Sequence, residues 1–120
     1  MMMAEVVFLS PRERVREDIE PIVTIYRSMG TEIGAQLVAG ALEDLAKAMA
    51  DLTARIGRHD LGNLEKGLSQ IQQTAEDLGM ITLGLVAGDL RNCSHREDAT
   101  AFAAVWARLS RLTQRSLLQT

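Results

Sequence analysis

Aromatic residues, cysteine and proline are all scarce in this chain of 120 residues, and each shortage narrows what it can be. Only Phe8, Tyr26, Phe102 and Trp106 are aromatic, so the apolar mass is Leu, Ile, Val, Met and Ala. That is the composition of packed helices rather than of a β sandwich. Cys93 stands alone, which excludes an intramolecular disulfide and a Cys-rich metal site. It reads as a small half-buried residue near a helix end. The two prolines, Pro11 and Pro21, leave the chain from residue 22 onward free of that helix breaker. Long apolar runs are missing as well. The stretch 80–88 falls far short of the ~20 residues that span a bilayer. Residues 1–9 are apolar but lack the basic start and long apolar middle of a signal peptide. A cytoplasmic protein is the expectation. Basic excess is also absent: 13 Lys and Arg face 16 Asp and Glu, a net charge of −3. Arg108, Arg111 and Arg115 share a helical face, yet three arginines over two turns read as a solvated face, so no nucleic-acid partner is expected.

What is present is helical periodicity. Hydrophobic residues make up 47% of the chain, enough for one core, and 120 residues suit a single domain. Residues 1–9 read as an apolar arm and 10–120 as one helical domain. Ser10-Pro11 with Glu13 in the next turn predicts a helix start. Val15, Ile19, Ile22, Tyr26 and Met29 continue it at spacings of three and four, with Pro21 expected to kink or split it near Glu20 and Gly30 to end it. Thr31 is the expected cap of a long helix carrying Ile33, Leu37, Ala41, Leu45, Ala48, Leu52 and Ile56, which Gly57 stops. Asp60 is the expected cap of a third helix, where Leu61, Leu64, Leu68, Ile71, Ala75 and Leu78 form a coiled-coil-like seam closed by Gly79. A fourth runs from Met80 to Cys93, with Gly84 and Gly88 one turn apart and suited to close approach by a neighbouring backbone. Asn92-Cys93-Ser94-His95 reads as a loop. The last helix runs from about Glu97 to Leu118. The predicted fold is all-α: an up-and-down four-helix bundle with an additional N-terminal helix.

Candidate chemistry is sparse. His59 and His95 both fall in predicted turns, and neither forms a metal site at helical spacing with the acids beside it. No Gly-rich loop follows a strand, and Ser69 has no nearby histidine to act as its base. No enzyme activity, metal or cofactor is expected.

The third helix and its flanks nevertheless resemble the histidine-phosphotransfer domain, a bundle that ferries phosphate between receiver domains in bacterial phosphorelays. Members read roughly Ala-His-x-Leu-Lys-Gly-x-Ala-x-x-Leu-Gly. This chain has Leu68-Ser69-Gln70-Ile71-Gln72-Gln73-Thr74-Ala75-Glu76-Asp77-Leu78-Gly79, in which Leu68, Ile71, Ala75, Leu78 and Gly79 match. Upstream, His59-Asp60-Leu61-Gly62-Asn63-Leu64 is similar to the family's Gly-Asp-x-x-x-Leu approach to that helix. The resemblance covers residues 31–118. Its functional positions differ: Ser69 stands where the phosphate-accepting histidine belongs, Gln72 where the lysine does, and Gln73 where the glycine does. A serine without a base is no match for an exposed imidazole, and Gln73 fills the space over which a receiver's aspartate approaches. The resemblance thus implies a degenerate module. It would bind a response-regulator receiver domain or a hybrid histidine kinase without carrying phosphate, docking through Glu65, Ser69, Gln72, Gln73 and Glu76.

Two alternatives stand beside it. Arg58-His59-Asp60-Leu61-Gly62-Asn63-Leu64 also resembles the His-Asp box of some histidine-kinase dimerisation domains, which would make His59 a phosphate acceptor on a helix running through Gly57. Gly57 and a capping Asp60 argue against such a helix. The other is a helical dimerisation or adaptor module, a homodimer using the arm 1–9 and the Gly84/Gly88 face for self-association.

Overall fold

A computed structural model describes residues 15–62 and 64–118, with helices α1 (Glu20–Met29), α2 (Thr31–Gly57), α3 (Glu65–Asp77), α4 (Ile81–His95) and α5 (Ala99–Leu118). No strand occurs among the described residues. Helix α2 packs on α3, α3 on α4, α4 on α5 and α5 back on α2, closing an up-and-down four-helix bundle; α1 packs on α2. The core joins Leu45 and Leu52 of α2, Leu68 and Ile71 of α3, Leu83, Val86 and Leu90 of α4, and Leu109 and Leu112 of α5. Phe102, Val105 and Trp106 pack at its edge. The most enclosed helix is α4, where Gly84 and Ala87 are buried along with its large apolar residues. Gly84 and Gly88 face α3: a Cβ on Gly84 would lie 3.8 Å from that of Ala75, and one on Gly88 3.3 Å from the Gln72 Nε2. This glycine face is therefore occupied within the chain, which removes it as the self-association surface expected from sequence.

Three helix ends use one backbone device. After α2, the amide of Asp60 reaches back to the carbonyl of Arg55 (2.8 Å). After α3, Met80 bonds Ala75 (2.8 Å), and after α4, Asp98 bonds Cys93 (3.3 Å). Each closure requires a left-handed residue just before it: His59 (φ 57°), Gly79 (φ 74°) and Glu97 (φ 55°). Only the second of these is glycine.

Helix boundaries differ from the sequence expectations in four places. The first described helix begins at Glu20, with Pro21 in its opening turn. There its missing N–H and fixed φ are tolerated, so it starts the helix instead of kinking it. The Ser10 start signal and the arm 1–9 lie outside the described residues. Thr31 is the first residue of α2 and Gly30 its cap, with no side-chain hydrogen bond. Asp60 does not cap α3, which begins at Glu65 behind Leu64. Leu61 is 52% exposed, so the intended first seam position has no core to face. Finally, α4 runs through Asn92–Ser94 to His95, since Cys93 is buried and His95 is held by Glu65, contacts that override weak helix propensity. Helix α5 starts at Ala99, and Asp98 caps it by accepting a hydrogen bond from the Ala101 amide (3.1 Å).

Helix α2 is much longer than its neighbour. Its 27 residues extend about 40 Å, whereas the 13 residues of α3 extend about 20 Å. The two are antiparallel and share the end at Gly57, so the N-terminal half of α2 projects beyond the α3–α4 turn. Helix α1 begins at that same turn, because the segment before it is tied there. The Asp18 amide donates to the Gly79 carbonyl (2.8 Å), the Arg16 amide to the Thr82 hydroxyl (2.7 Å), and the Thr82 amide to the Arg16 carbonyl (3.3 Å). From there α1 runs outward, turns at Gly30 and returns as α2. Contact is close within this hairpin: a Cβ on Gly34 would meet the Tyr26 ring carbon Cε1 at 3.1 Å and its Cα at 3.2 Å.

Candidate functional site

The face of α3 that sequence singled out is shared with α4. Glu65, Ser69, Gln72 and Glu76 follow one another at spacings of three and four, with Gln73 next to Gln72, which places the set on the outer side of α3. Glu65, Ser69 and Gln72 are half-buried, while Gln73 and Glu76 are exposed. Arg91 of α4 reaches across: its Nε donates to the Glu65 Oε1 (2.9 Å), its Nη2 bonds the same oxygen, and its Nη1 donates to the Gln72 Oε1 (2.7 Å). The His95 Nε2 lies 2.9 Å from the other Glu65 oxygen. Gln72 turns its amide nitrogen toward Glu76 (3.5 Å), and Gln73 donates to Asp77 (2.9 Å). The result is a tied row of side chains running from His95 to Glu76. Arg91 and His95 were not assigned to this face from sequence. Their signal was the positions 91 and 95, one helical turn apart, opposite an acid whose distance only the bundle supplies.

The same contacts set the electrostatics. Hydrogen bonding from Arg91, reinforced by its charge and by His95, holds the Glu65 carboxyl below the usual glutamate range against a smaller opposing effect of burial. Glu65 in turn raises Arg91. A lowered carboxyl favours the folded state above its unfolded pKa, and that contribution disappears as pH falls through the folded value. Arg91→Ala is therefore expected to raise the Glu65 titration midpoint toward the ordinary glutamate range, with His95 still lowering it. It should also remove one component of acid destabilisation below the ordinary glutamate pKa. An unchanged midpoint by NMR would mean that the pair does not persist in water.

Beside the row lies a shallow groove of about 240 Å³, whose lining includes Gln72, Glu76, Gly84, Ile81 and Leu85. Leu85 is 56% exposed and Ile81 39%. Among the described residues, none hydrogen-bonds the Ser69 hydroxyl.

His59 sits at the end of the bundle where α2 ends and α3 begins, the end that holds Glu65 and His95. It is exposed, two residues past the end of α2, in the left-handed turn. The continuous helix required by the kinase-box reading is absent. It borders an apolar cavity of about 470 Å³ floored by Ile56, Leu64, Cys93 and Phe102. Among the described residues, no group of three or more His, Cys, Asp or Glu side chains could hold a metal, and no helix is long and apolar enough to cross a membrane.

No protein-family model, curated protein or solved structure matches the chain.

Proposed function

We propose that this chain is a non-catalytic helical docking module of the phosphotransfer type, which binds a receiver domain or a hybrid histidine kinase through the α3–α4 face without carrying phosphate. The observation supporting it is the construction of that face. A pre-ordered polar row runs along the helix face that carries Ser69, and exposed Leu85 and Ile81 line a groove with Gln72 and Glu76 of that row. Polar groups already held in place lose little freedom on binding, and exposed apolar residues next to them supply area to bury. The face is small, which suits a micromolar, transient partner. The partner class comes from the resemblance of residues 68–79 to phosphotransfer domains. The replaced acceptor, Ser69, argues for binding without phosphate transfer.

Titration of the purified chain with receiver domains and hybrid-kinase receivers from its source organism tests this directly. Micromolar binding is expected, weakened at least tenfold by Leu85→Glu and by Glu76→Arg in proteins whose circular dichroism is unchanged. Binding unaffected by both substitutions would remove the α3–α4 face from the account. Incubation with a phosphorylated receiver should leave no acid-labile phosphate on the chain. Phosphate that appears on the wild type and vanishes in His59→Ala would replace the docking module with a phosphate carrier acting through His59.

A further inference from the structure

At one end of the bundle four helix ends meet around a space that the described residues leave open. Helix α2 stops there at Gly57 and α4 at His95, while α3 starts at Glu65 and α5 at Ala99. Between them lies the cavity of about 470 Å³, with apolar walls from Ile56, Leu61, Leu64, Cys93, Ala99 and Phe102. Leu61 stays 52% exposed although it lines that cavity. Size and lining are those of a small-molecule site. Polar groups stand at its border: His59, Glu97 and Asp98, all exposed. Two of them are held there against the backbone's preference. Among the described residues, His59 (φ 57°) and Glu97 (φ 55°) are the non-glycine residues in the left-handed region. Glycine is favoured at such helix closures, and a residue with a side chain is strained there. Both strained residues border the same cavity, whereas the third closure uses Gly79. Strain that carries an imidazole and a carboxylate to the rim of one apolar cavity points to a ligand with a polar end.

We propose that this cavity binds a small organic cation, an ammonium group on an apolar, aromatic body. Charge selects the cation. Glu97 and Asp98 line the cavity, and no lysine or arginine does. Asp98 spends one oxygen on the Ala101 amide (3.1 Å), and among the described residues neither acid is in an ion pair. Arg96 is turned elsewhere, its Nη2 lying 3.8 Å from the Cys93 Sγ. Helix dipoles do not decide the sign. The C-termini of α2 and α4 favour a cation, the N-termini of α3 and α5 favour an anion, and the two pairs offset. The carboxylates therefore set it. The ammonium stays at the rim beside Glu97 and Asp98, where a neutral His59 imidazole can accept one of its N–H groups. The body enters against Leu64 and the Phe102 ring, which suits an aromatic group. None of the lining residues belongs to the Glu65–Arg91 row, so this inference stands apart from the docking reading.

NMR of the full chain titrated with phenylbutylamine, phenylbutanol and phenylbutanoate separates charge from apolar fit. The amine should shift the Leu61, Leu64 and Phe102 side-chain resonances saturably, with a Kd in the millimolar range that suits so small a ligand. It should bind roughly fivefold more tightly than the alcohol, which is what one partly exposed ion pair supplies, and the carboxylate should bind most weakly. Glu97→Gln combined with Asp98→Asn, which keeps a capping side chain on α5, should erase that preference and leave binding of the alcohol unchanged. Ala99→Trp, at an exposed position on the cavity wall, should block all three compounds with circular dichroism unchanged. Absence of saturable shifts with the amine overturns the proposal. So does a carboxylate that binds as tightly as the amine, and so does a preference for the amine that survives the paired neutral substitutions.

Discussion

Replacing Gly79 with alanine is expected to remove about 3–4 kcal/mol of stability, more than any other single added methyl in this chain. The left-handed φ of 74° accounts for ~1–2 kcal/mol of that, since a Cβ there crowds its own carbonyl. The rest comes from the neighbour. A Cβ at position 79 would collide with the carbonyl oxygen of Asp18, and the next contact is the Asp18 carbonyl carbon at 3.0 Å. Both obstacles are backbone, so no rotamer change relieves them. Relief requires moving the segment before α1, which breaks the Asp18–Gly79 hydrogen bond and strains the paired bonds between Arg16 and Thr82. Urea denaturation measures the loss. Gly62→Ala is the control: it has open space and no left-handed φ, and should change stability by under about 0.5 kcal/mol. A loss below about 1 kcal/mol at Gly79 would show that the segment is not seated on the α3–α4 turn. The argument also runs in reverse. His59→Gly and Glu97→Gly, at the equivalent closures of α2 and α4, should each add about 1 kcal/mol.

These closures show where sequence reasoning held and where it failed. Gly79 was legible as a helix end because glycine follows the last seam residue, Leu78. His59 and Glu97 carry no such signal. Nothing local distinguishes a histidine or glutamate forced into the left-handed region by the next chain reversal. Bundle and core were legible for the reason that α3 was: Leu68, Ile71, Ala75 and Leu78 recur at spacings that only a helix turns to one side, and all four are buried. The same periodicity misled at Leu61, Ile33 and Leu37. Spacing identifies a face that could be buried, but not whether a partner lies opposite it. The polar row on α3 was half legible. Glu65, Gln72 and Glu76 follow from helical register, whereas Arg91 and His95 belong to it only through the antiparallel pairing of α3 with α4. That pairing brings residues 26 and 30 positions apart into hydrogen-bond contact with Glu65.

The docking row and the α1–α2 hairpin differ in burial as well as in place. The row stands on α3 and α4, whose inner faces supply Leu68, Ile71, Leu83, Val86 and Leu90 of the core. The hairpin stands on α1, which has half-buried but no fully buried residues, and on the part of α2 that extends beyond α3.

Truncation of Leu90 provides the second large effect and tests this division. Leu90 is wholly buried on α4, between helices α3 and α5 that both pack against it. Leu90→Ala removes the transfer free energy of the lost carbons and leaves a cavity that close-packed helices only partly fill, for an expected loss of about 3–5 kcal/mol. Leu37→Ala removes the same atoms from a half-exposed site, and should cost under about 1 kcal/mol. Hydrogen exchange then separates the two units. The amides of α4 should exchange only through global unfolding, so Leu90→Ala should speed them by the full loss in stability. Those of α1 should open at a lower free energy of their own, little altered by Leu90→Ala. Amides of α1 as slow as those of α4 would mean that the hairpin is held as firmly as the bundle.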